Sequence, residues 1–192
     1  MQANFLRSRI YFTVIITLAI WGLLAWNYLH GGVPSHHILA REDMPSISNW
    51  WGGLLLPVLT WFLLYRAQKR LNLLAAKKSM GEMKVKVAIG FGVGLLFGLL
   101  LSIFFVLGIS ELPGYMILSV FIGALFFPVY RAECLLGFVI GMTYTFGAVL
   151  PTAIGSMLAL VGALIYLLIR PAILFVISKF NQSSKSDKHS TN

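Results

Sequence analysis

The residues best suited to chemistry lie in one stretch of this 192-residue sequence, residues 30–52. The stretch contains three of the four histidines and two of the six acidic residues, namely His30, His36, His37, Glu42 and Asp43. Imidazole and carboxylate groups are the usual protein ligands of zinc and of other transition metals. Adjacent side chains diverge by about 100° on a helix and by about 180° on a strand. A metal or haem site here would therefore combine His30, one member of the His36–His37 pair and one acid.

The same stretch can also be interpreted as a binding surface or as a structural loop. As a binding surface, His36, His37 and Arg41 would donate to a phosphate or carboxylate, while Trp50 and Trp51 pack against acyl chains. As a structural loop, it would place its histidines and tryptophans at head-group depth, with Ser48 or Asn49 capping the next helix. The candidate ligand-binding residues are His30, His36, His37, Arg41, Asp43, Trp50 and Trp51.

No established catalytic motif accompanies these residues. The sequence has no HExxH, no GxSxG, no Walker lysine and no kinase or deaminase signature. Its single cysteine, Cys134, excludes an internal disulfide and a CxxC site. The sequence therefore favours a protein that is not an enzyme, and it identifies no cofactor.

Composition indicates an integral membrane protein. Hydrophobic residues make up 58% of the chain and charged residues 11%, against roughly 25% charged in ordinary soluble domains. The net charge is +9, but the basic residues flank apolar runs instead of forming a patch with interleaved aromatics. This pattern is typical of topology signals and of contact with anionic lipid head groups, so nucleic-acid binding is not expected.

The apolar runs predict an all-α fold of six transmembrane helices. A helix of about 20 residues crosses the roughly 30 Å hydrocarbon core of a bilayer. The predicted spans are residues 10–29, 50–65, 87–109, 115–130, 134–150 and 153–169. They form one transmembrane domain, residues 1–181, and the polar residues 182–192 are expected to be a disordered cytoplasmic tail. The second helix is expected to continue past its span as an interfacial segment ending near Gly81.

The distribution of charge predicts the orientation of these spans. With the N-terminus inside, the cytoplasmic segments contain 14 of the 15 lysines and arginines, and only Arg41 lies outside. Such a bias is typical of cytoplasmic loops. Both termini are therefore expected in the cytoplasm, with anionic lipid head groups as partners on that side. The short loops suit a bacterial inner membrane.

Small residues recur at helical spacing within the later spans. Since glycine lets helix backbones approach closely, these positions are expected to be packing faces. They are Gly90, Gly94 and Gly98 in the third span, Gly137 and Gly141 in the fifth, and Gly155 in the sixth. Tight turns at 110–114, 131–133 and 150–152 would make each of the last four helices run antiparallel to its neighbour in the sequence. A membrane-protein partner or a second copy of the chain is a further expectation.

Three functions fit this architecture. The first is a non-enzymatic membrane component, such as a subunit, assembly factor or accessory factor, with residues 30–52 as its recognition loop. The second is a transporter or channel for a small neutral solute. The absence of a charge near the centre of any predicted span weakens a transporter interpretation, but transport of a neutral solute would not require such a charge. A cavity lined by Thr143, Tyr144, Thr145 and Ser156 would favour this second function. The third is an outer-face metal or haem enzyme that uses His30, His36 and His37.

Overall fold

The computed structural model describes residues 2–32, 35–37, 46–74, 79–109 and 111–179. Within this part of the chain the fold is helical, which confirms the predicted all-α class, and it contains six principal helices. The helices are α1 Gln2–Leu29, α2 Trp50–Leu74, α3 Met80–Val106, α4 Glu111–Phe126, α5 Ala132–Phe146 and α6 Val149–Leu164. Two three-residue strands, β1 Ser35–His37 and β2 Ser46–Ser48, pair antiparallel between α1 and α2.

Three of the helical segments are long and apolar enough to cross a membrane. They are Phe5–Leu29, Met80–Val106 and Val149–Lys179, the last of which begins with α6 and continues beyond it. Most of their side chains face outward from the bundle, since no more than 22% of the residues in the most apolar part of each are buried. An apolar exterior of this kind is compatible with a protein that faces lipid.

Several helix boundaries differ from the predicted ones because of proline. Pro113 and Pro151 were expected in turns, but each lies in the first turn of a helix, α4 and α6 respectively. Proline is well tolerated there, since an N–H in the first turn has no partner within the helix. The chain turns instead before these two helices, at residues 107–108 and at 147–148, where Gly108 and Gly147 have φ of 72° and 68°. Residues 127–131 join α4 to α5.

The last helix also extends beyond its predicted end at residue 169. After α6, the chain forms a π-helical turn, Ile165–Ile169, and then continues as α-helix through residue 179. Pro171 cannot donate to the carbonyl of Leu167, and its ring would crowd that carbonyl in a regular α-helix. The wider π-helical turn accommodates the proline, so the helix continues past it.

Helix α2 continues past its predicted span, as expected. Gly81, near which α2 was expected to end, lies in the next helix instead. The structure describes α2 to Leu74 and begins α3 at Met80, so Gly81 lies in the first turn of α3. Residues 75–78 lie outside the described part of the chain. The charged continuation of α2 is thus a direct extension of the same helix.

The core is centred on α5, in which eight of fifteen residues are buried. This helix packs against α2, α3 and α6. The buried cluster consists of Ile20, Leu24, Leu56, Leu101, Phe138, Val139, Met142, Ala148 and Leu158. Side chains of α4 lie against this cluster but are only partly buried. Its neighbours cover α5 so that, of its 15 residues, only Tyr144 is exposed.

Glycines bring α3 and α5 into direct backbone contact. Gly94 lies against the carbonyl of Cys134, and a Cβ placed on Gly98 would be 2.6 Å from the carbonyl oxygen of Phe138. The two contacts follow the same order along both helices, so α3 and α5 are parallel. Helix α4 connects them and returns the chain to the end where α5 begins.

The reciprocal glycines of α5 complete this contact. Gly137 lies against the carbonyl of Phe91, and a Cβ on Gly141 would be 2.6 Å from the carbonyl oxygen of Leu95. No side chain fits at these positions without moving a helix backbone. We call the contact formed by Gly94, Gly98, Gly137 and Gly141 the glycine seam. It fixes α3 and α5 at a short separation.

Helix α2 is antiparallel to α5 and joins the two ends of the bundle. At one end a Cβ on Gly52 would be 3.2 Å from the Cβ of Ala148. At the other end Arg70 contacts Glu133. We call the end that carries residues 30–52 the loop end, and the end that carries Arg70 and Glu133 the basic end.

Candidate functional site

At the loop end, His30 interacts with its own helix. Its Nδ1–H donates to the carbonyl oxygen of Trp26 at 2.9 Å, and its ring stacks on Trp26 with 3.9 Å between centroids. The side chain is exposed. One of its two ring nitrogens is therefore engaged by α1 itself.

The other candidate ligands of the loop end are placed only in part. His36 pairs with Ile47 and His37 with Ser46 in the β1–β2 hairpin. The side chains of His36 and His37, and residues Arg41, Glu42 and Asp43, lie outside the described part of the chain. Among the described residues, no group of three His, Cys, Asp or Glu side chains could hold a metal ion. The histidine–acid site remains a prediction.

The two tryptophans of the loop end lie at the start of α2. Trp50 and Trp51 are exposed, and the Trp50 ring lies 6.3 Å from those of Trp21 and Tyr28. The Ser48 hydroxyl accepts a long hydrogen bond of 3.4 Å from the Trp50 N–H. Of the two predicted capping residues, Ser48 is therefore the one that contacts the helix start, while the Asn49 side chain lies against Gly147.

The basic end contains a cavity of about 450 Å³ between α1, α2, α3 and α5, which we call the basic-end cavity. Its walls are mainly apolar, with Phe5, Phe12, Leu63, Leu71 and Phe91 among them. Its polar lining residues are Ser8, Arg9, Gln68, Lys84 and Glu133. A mainly apolar cavity of this size with a few convergent polar groups is the usual form of a small-molecule site.

Glu133 is the most deeply buried of the charged residues at this site. One Arg70 N–H donates to its Oε1 at 2.6 Å, and the exposed fractions of the two side chains are 29% for Arg70 and 3% for Glu133. Gly90 makes room for the carboxylate side chain, because a Cβ there would lie 2.9 Å from the Glu133 Cγ. Within the described residues, the second oxygen, Oε2, is buried and has no hydrogen-bond partner.

Arg9 and Lys84 bring two further positive charges to the cavity. The Arg9 guanidinium lies 3.9 Å from the Trp61 ring centroid and 5.5 Å from that of Tyr65. The Lys84 Nζ lies 5.1 Å from the Phe5 ring centroid. These cation–π contacts hold the charges next to apolar surface. The Arg9 Nε is buried and has no hydrogen-bond partner in the described part of the chain.

The formal charges of these four residues leave an excess of positive charge. Arg9, Arg70 and Lys84 contribute +3 and Glu133 contributes −1, which gives +2. Lys84 is exposed and Arg70 is 29% exposed, whereas Arg9 is partly buried against apolar walls that lower the local dielectric, so an anion would interact most strongly with Arg9. The cavity is therefore chemically suited to an amphiphile with an anionic head group.

A second cavity, of about 280 Å³, lies between α3, α4, α5 and α6 and carries no charged residue. Gly155 and Cys134 belong to its lining, and Gly155 also accommodates the side chains of Leu135 and Phe138. Neither of the two cavities is lined by the predicted transport hydroxyls of Thr143, Tyr144, Thr145 and Ser156. Thr143 donates to the carbonyl of Val139, and Tyr144 is 82% exposed.

Sequence reasoning did not find the basic-end cavity, because its residues come from four separate segments. The sequence predicts Arg9 and Lys84 only as charges flanking spans and Glu133 only as part of the tight turn at 131–133. The one available signal was an acidic residue, Glu133, at the start of an apolar run. That signal does not identify Arg70 as its partner, since 63 positions separate them.

Comparison with protein-family models, with curated proteins and with solved structures found no match for this chain. In its described part the chain is helical, with three segments long and apolar enough to cross a membrane. Its function is therefore inferred from the site itself.

Proposed function

We propose that the chain is a multi-pass membrane protein with six spans and both termini in the cytoplasm of a cell, in a bilayer such as a bacterial inner membrane. The three long apolar segments and the 14-to-1 distribution of basic residues support this arrangement. Helices of 16 and 15 residues, α4 and α5, span only about 24 Å and 22 Å. Local thinning of the bilayer would accommodate α4, and neighbouring helices cover α5.

In this orientation the basic end faces the cytoplasm. The proposed role is that of a non-enzymatic membrane component that binds an amphiphile whose head group carries a phosphate or a carboxylate. The observation that carries this proposal is the basic-end cavity, in which Arg9 and Lys84 line an apolar space beside the Arg70–Glu133 ion pair. The acyl chain would contact the apolar walls, and the anion would contact the two cations.

Native mass spectrometry of the detergent-purified protein tests this proposal. Dioleoylphosphatidylglycerol is expected to bind, whereas dioleoylglycerol, which lacks the phosphate, is expected to bind much more weakly. The variant Arg9→Gln/Lys84→Gln should weaken phosphatidylglycerol binding by roughly tenfold or more, since hydrogen bonds to charged groups contribute about 1.5–3 kcal/mol.

The matched control is Lys86→Gln, which removes an exposed charge from α3 outside the cavity lining. It should leave the affinity nearly unchanged. Equal losses in both variants would indicate nonspecific attraction of anionic lipid and would overturn the proposed site.

The two alternative functions draw no support from the described residues. The hydroxyls predicted to line a transport path do not line either cavity. The metal or haem enzyme depends on His36, His37 and Asp43, whose side chains lie outside the described part of the chain. Metal analysis and an absorption spectrum of the purified protein test this last alternative directly.

A further inference from the structure

The basic-end cavity contains two buried hydrogen-bond acceptors that no described residue satisfies. They are Oε2 of Glu133 and Oε1 of Gln68. Both residues line the cavity, and Glu133 is only 3% exposed. An unsatisfied buried polar group typically costs about 1–3 kcal/mol. The site therefore has an unmet requirement for hydrogen-bond donors in addition to its excess of positive charge.

The described cations at this site are directed elsewhere. Arg70 donates to the other oxygen of Glu133, Arg9 lies over Trp61, and Lys84 lies over Phe5. A ligand that satisfies the whole cavity would therefore carry an anion for Arg9 and Lys84. It would also carry a donor group for Glu133 and Gln68.

We propose that the basic-end cavity selects an aminophospholipid, with its phosphate at Arg9 and Lys84 and its primary ammonium at Glu133 and Gln68. This inference rests on the proposed function, because it names the head group that the same cavity would recognise. A primary ammonium has three N–H donors, whereas a hydroxyl has one. Two acceptors, one of them a carboxylate, thus favour the ammonium, since it can donate to both and its positive charge pairs with the carboxylate.

The decisive comparison is between dioleoylphosphatidylethanolamine and dioleoylphosphatidylcholine. The two lipids share the phosphate, the acyl chains and the net charge, but the trimethylammonium of the second has no N–H donor. Native mass spectrometry of the full-length protein in detergent should show at least about tenfold tighter binding of phosphatidylethanolamine.

Two variants assign this preference to the cavity. Glu133→Gln should remove most of the preference for phosphatidylethanolamine, measured as the ratio of the affinities for the two lipids. Gln68→Met removes the second acceptor without touching the ion pair, and it should reduce the preference by a smaller factor. The Gln68 variant keeps the test decisive if Glu133→Gln does not fold. Glu82→Gln, which changes an exposed acid outside the cavity lining, is the matched control.

Failure of this inference is distinguishable from failure of the proposed function. Equal binding of the two lipids by the native protein would overturn aminophospholipid selection. The proposed site for an anionic amphiphile would still stand if Arg9→Gln/Lys84→Gln weakened the binding of both lipids. If that double variant changed the affinity for neither lipid, the proposed site would be wrong. A preference that survives both Glu133→Gln and Gln68→Met would also overturn the inference, because the selecting group would lie elsewhere.

Discussion

The two ends of this bundle assemble polar residues in opposite ways. At the loop end the candidate residues are neighbours in sequence, and the described ones, His30, Trp50 and Trp51, are exposed. At the basic end the polar residues come from four helices and surround one cavity, with Glu133 almost fully buried. The described residues of the loop end are thus exposed, whereas residues distant in sequence converge at the basic end. A site in a helical bundle depends on which helix faces meet, and sequence proximity gives little information about that.

The largest expected effect comes from separating the helices that form the basic end. In Gly137→Leu the new side chain would collide with the Phe91 carbonyl and lie within 2.7 Å of the Leu95 backbone nitrogen. Backbone atoms cannot yield as a flexible side chain does, so overpacking should cost more than about 3 kcal/mol. We expect little folded protein by size-exclusion chromatography in detergent.

The matched control for the glycine seam is Gly92→Leu on α3. Gly92 has open space around its Cβ position and is exposed, so this variant should fold and bind lipid normally. Folded Gly137→Leu protein with native thermal stability would show that the seam is not needed to assemble the basic end.

The second-largest expected loss of stability comes from breaking the Arg70–Glu133 ion pair of the basic end. Arg70→Leu leaves the Glu133 carboxylate buried without its cation, which should lower the free energy of unfolding by about 3 kcal/mol or more. The double variant Arg70→Leu/Glu133→Leu removes both charges and should recover most of this loss. Thermal unfolding in detergent measures both. A double variant as unstable as Arg70→Leu would mean that the arginine acts through packing and not through its charge.

At the loop end, Gly147 offers the corresponding test, because its backbone conformation is tightly constrained. Gly147 has φ 68° and ψ −179°, a conformation that essentially only glycine adopts, and it lies against the Asn49 side chain. Gly147→Ala should destabilise the protein by about 2 kcal/mol. It should leave the lipid preference of the basic end unchanged.

Gly22→Ala on α1 is the control, since nothing lies near its Cβ position and its backbone is helical. It should be neutral or slightly stabilising. An altered lipid preference in Gly147→Ala would show that α5 couples the two ends, and the contrast between them would then have to be revised.

The all-α class followed directly from sequence because long apolar runs have only one stable local structure in a bilayer. The helix ends were harder to predict, because three prolines lie inside a helix at or beyond the position where the sequence predicts a break. They are Pro113, Pro151 and Pro171. The spacing of Gly94 and Gly137 indicated packing faces, but spacing alone does not say which helix each face meets. Glu133 and Arg70 were visible only as flanking charges, because their pairing depends on the antiparallel contact of α2 with α5.

The smallest effect is expected at His30, where the loop end has its one described histidine side chain. Its hydrogen bond to Trp26 and its stacking are both exposed, so His30→Gln should change the free energy of unfolding by less than about 1 kcal/mol. Zinc titration by calorimetry tests whether the loop end is also a binding site. One equivalent of zinc bound by the native protein and lost in His30→Gln would show that the loop end binds metal. If zinc does not bind, the metal-site interpretation of residues 30–52 is wrong, and the choice is between a binding surface and a structural loop.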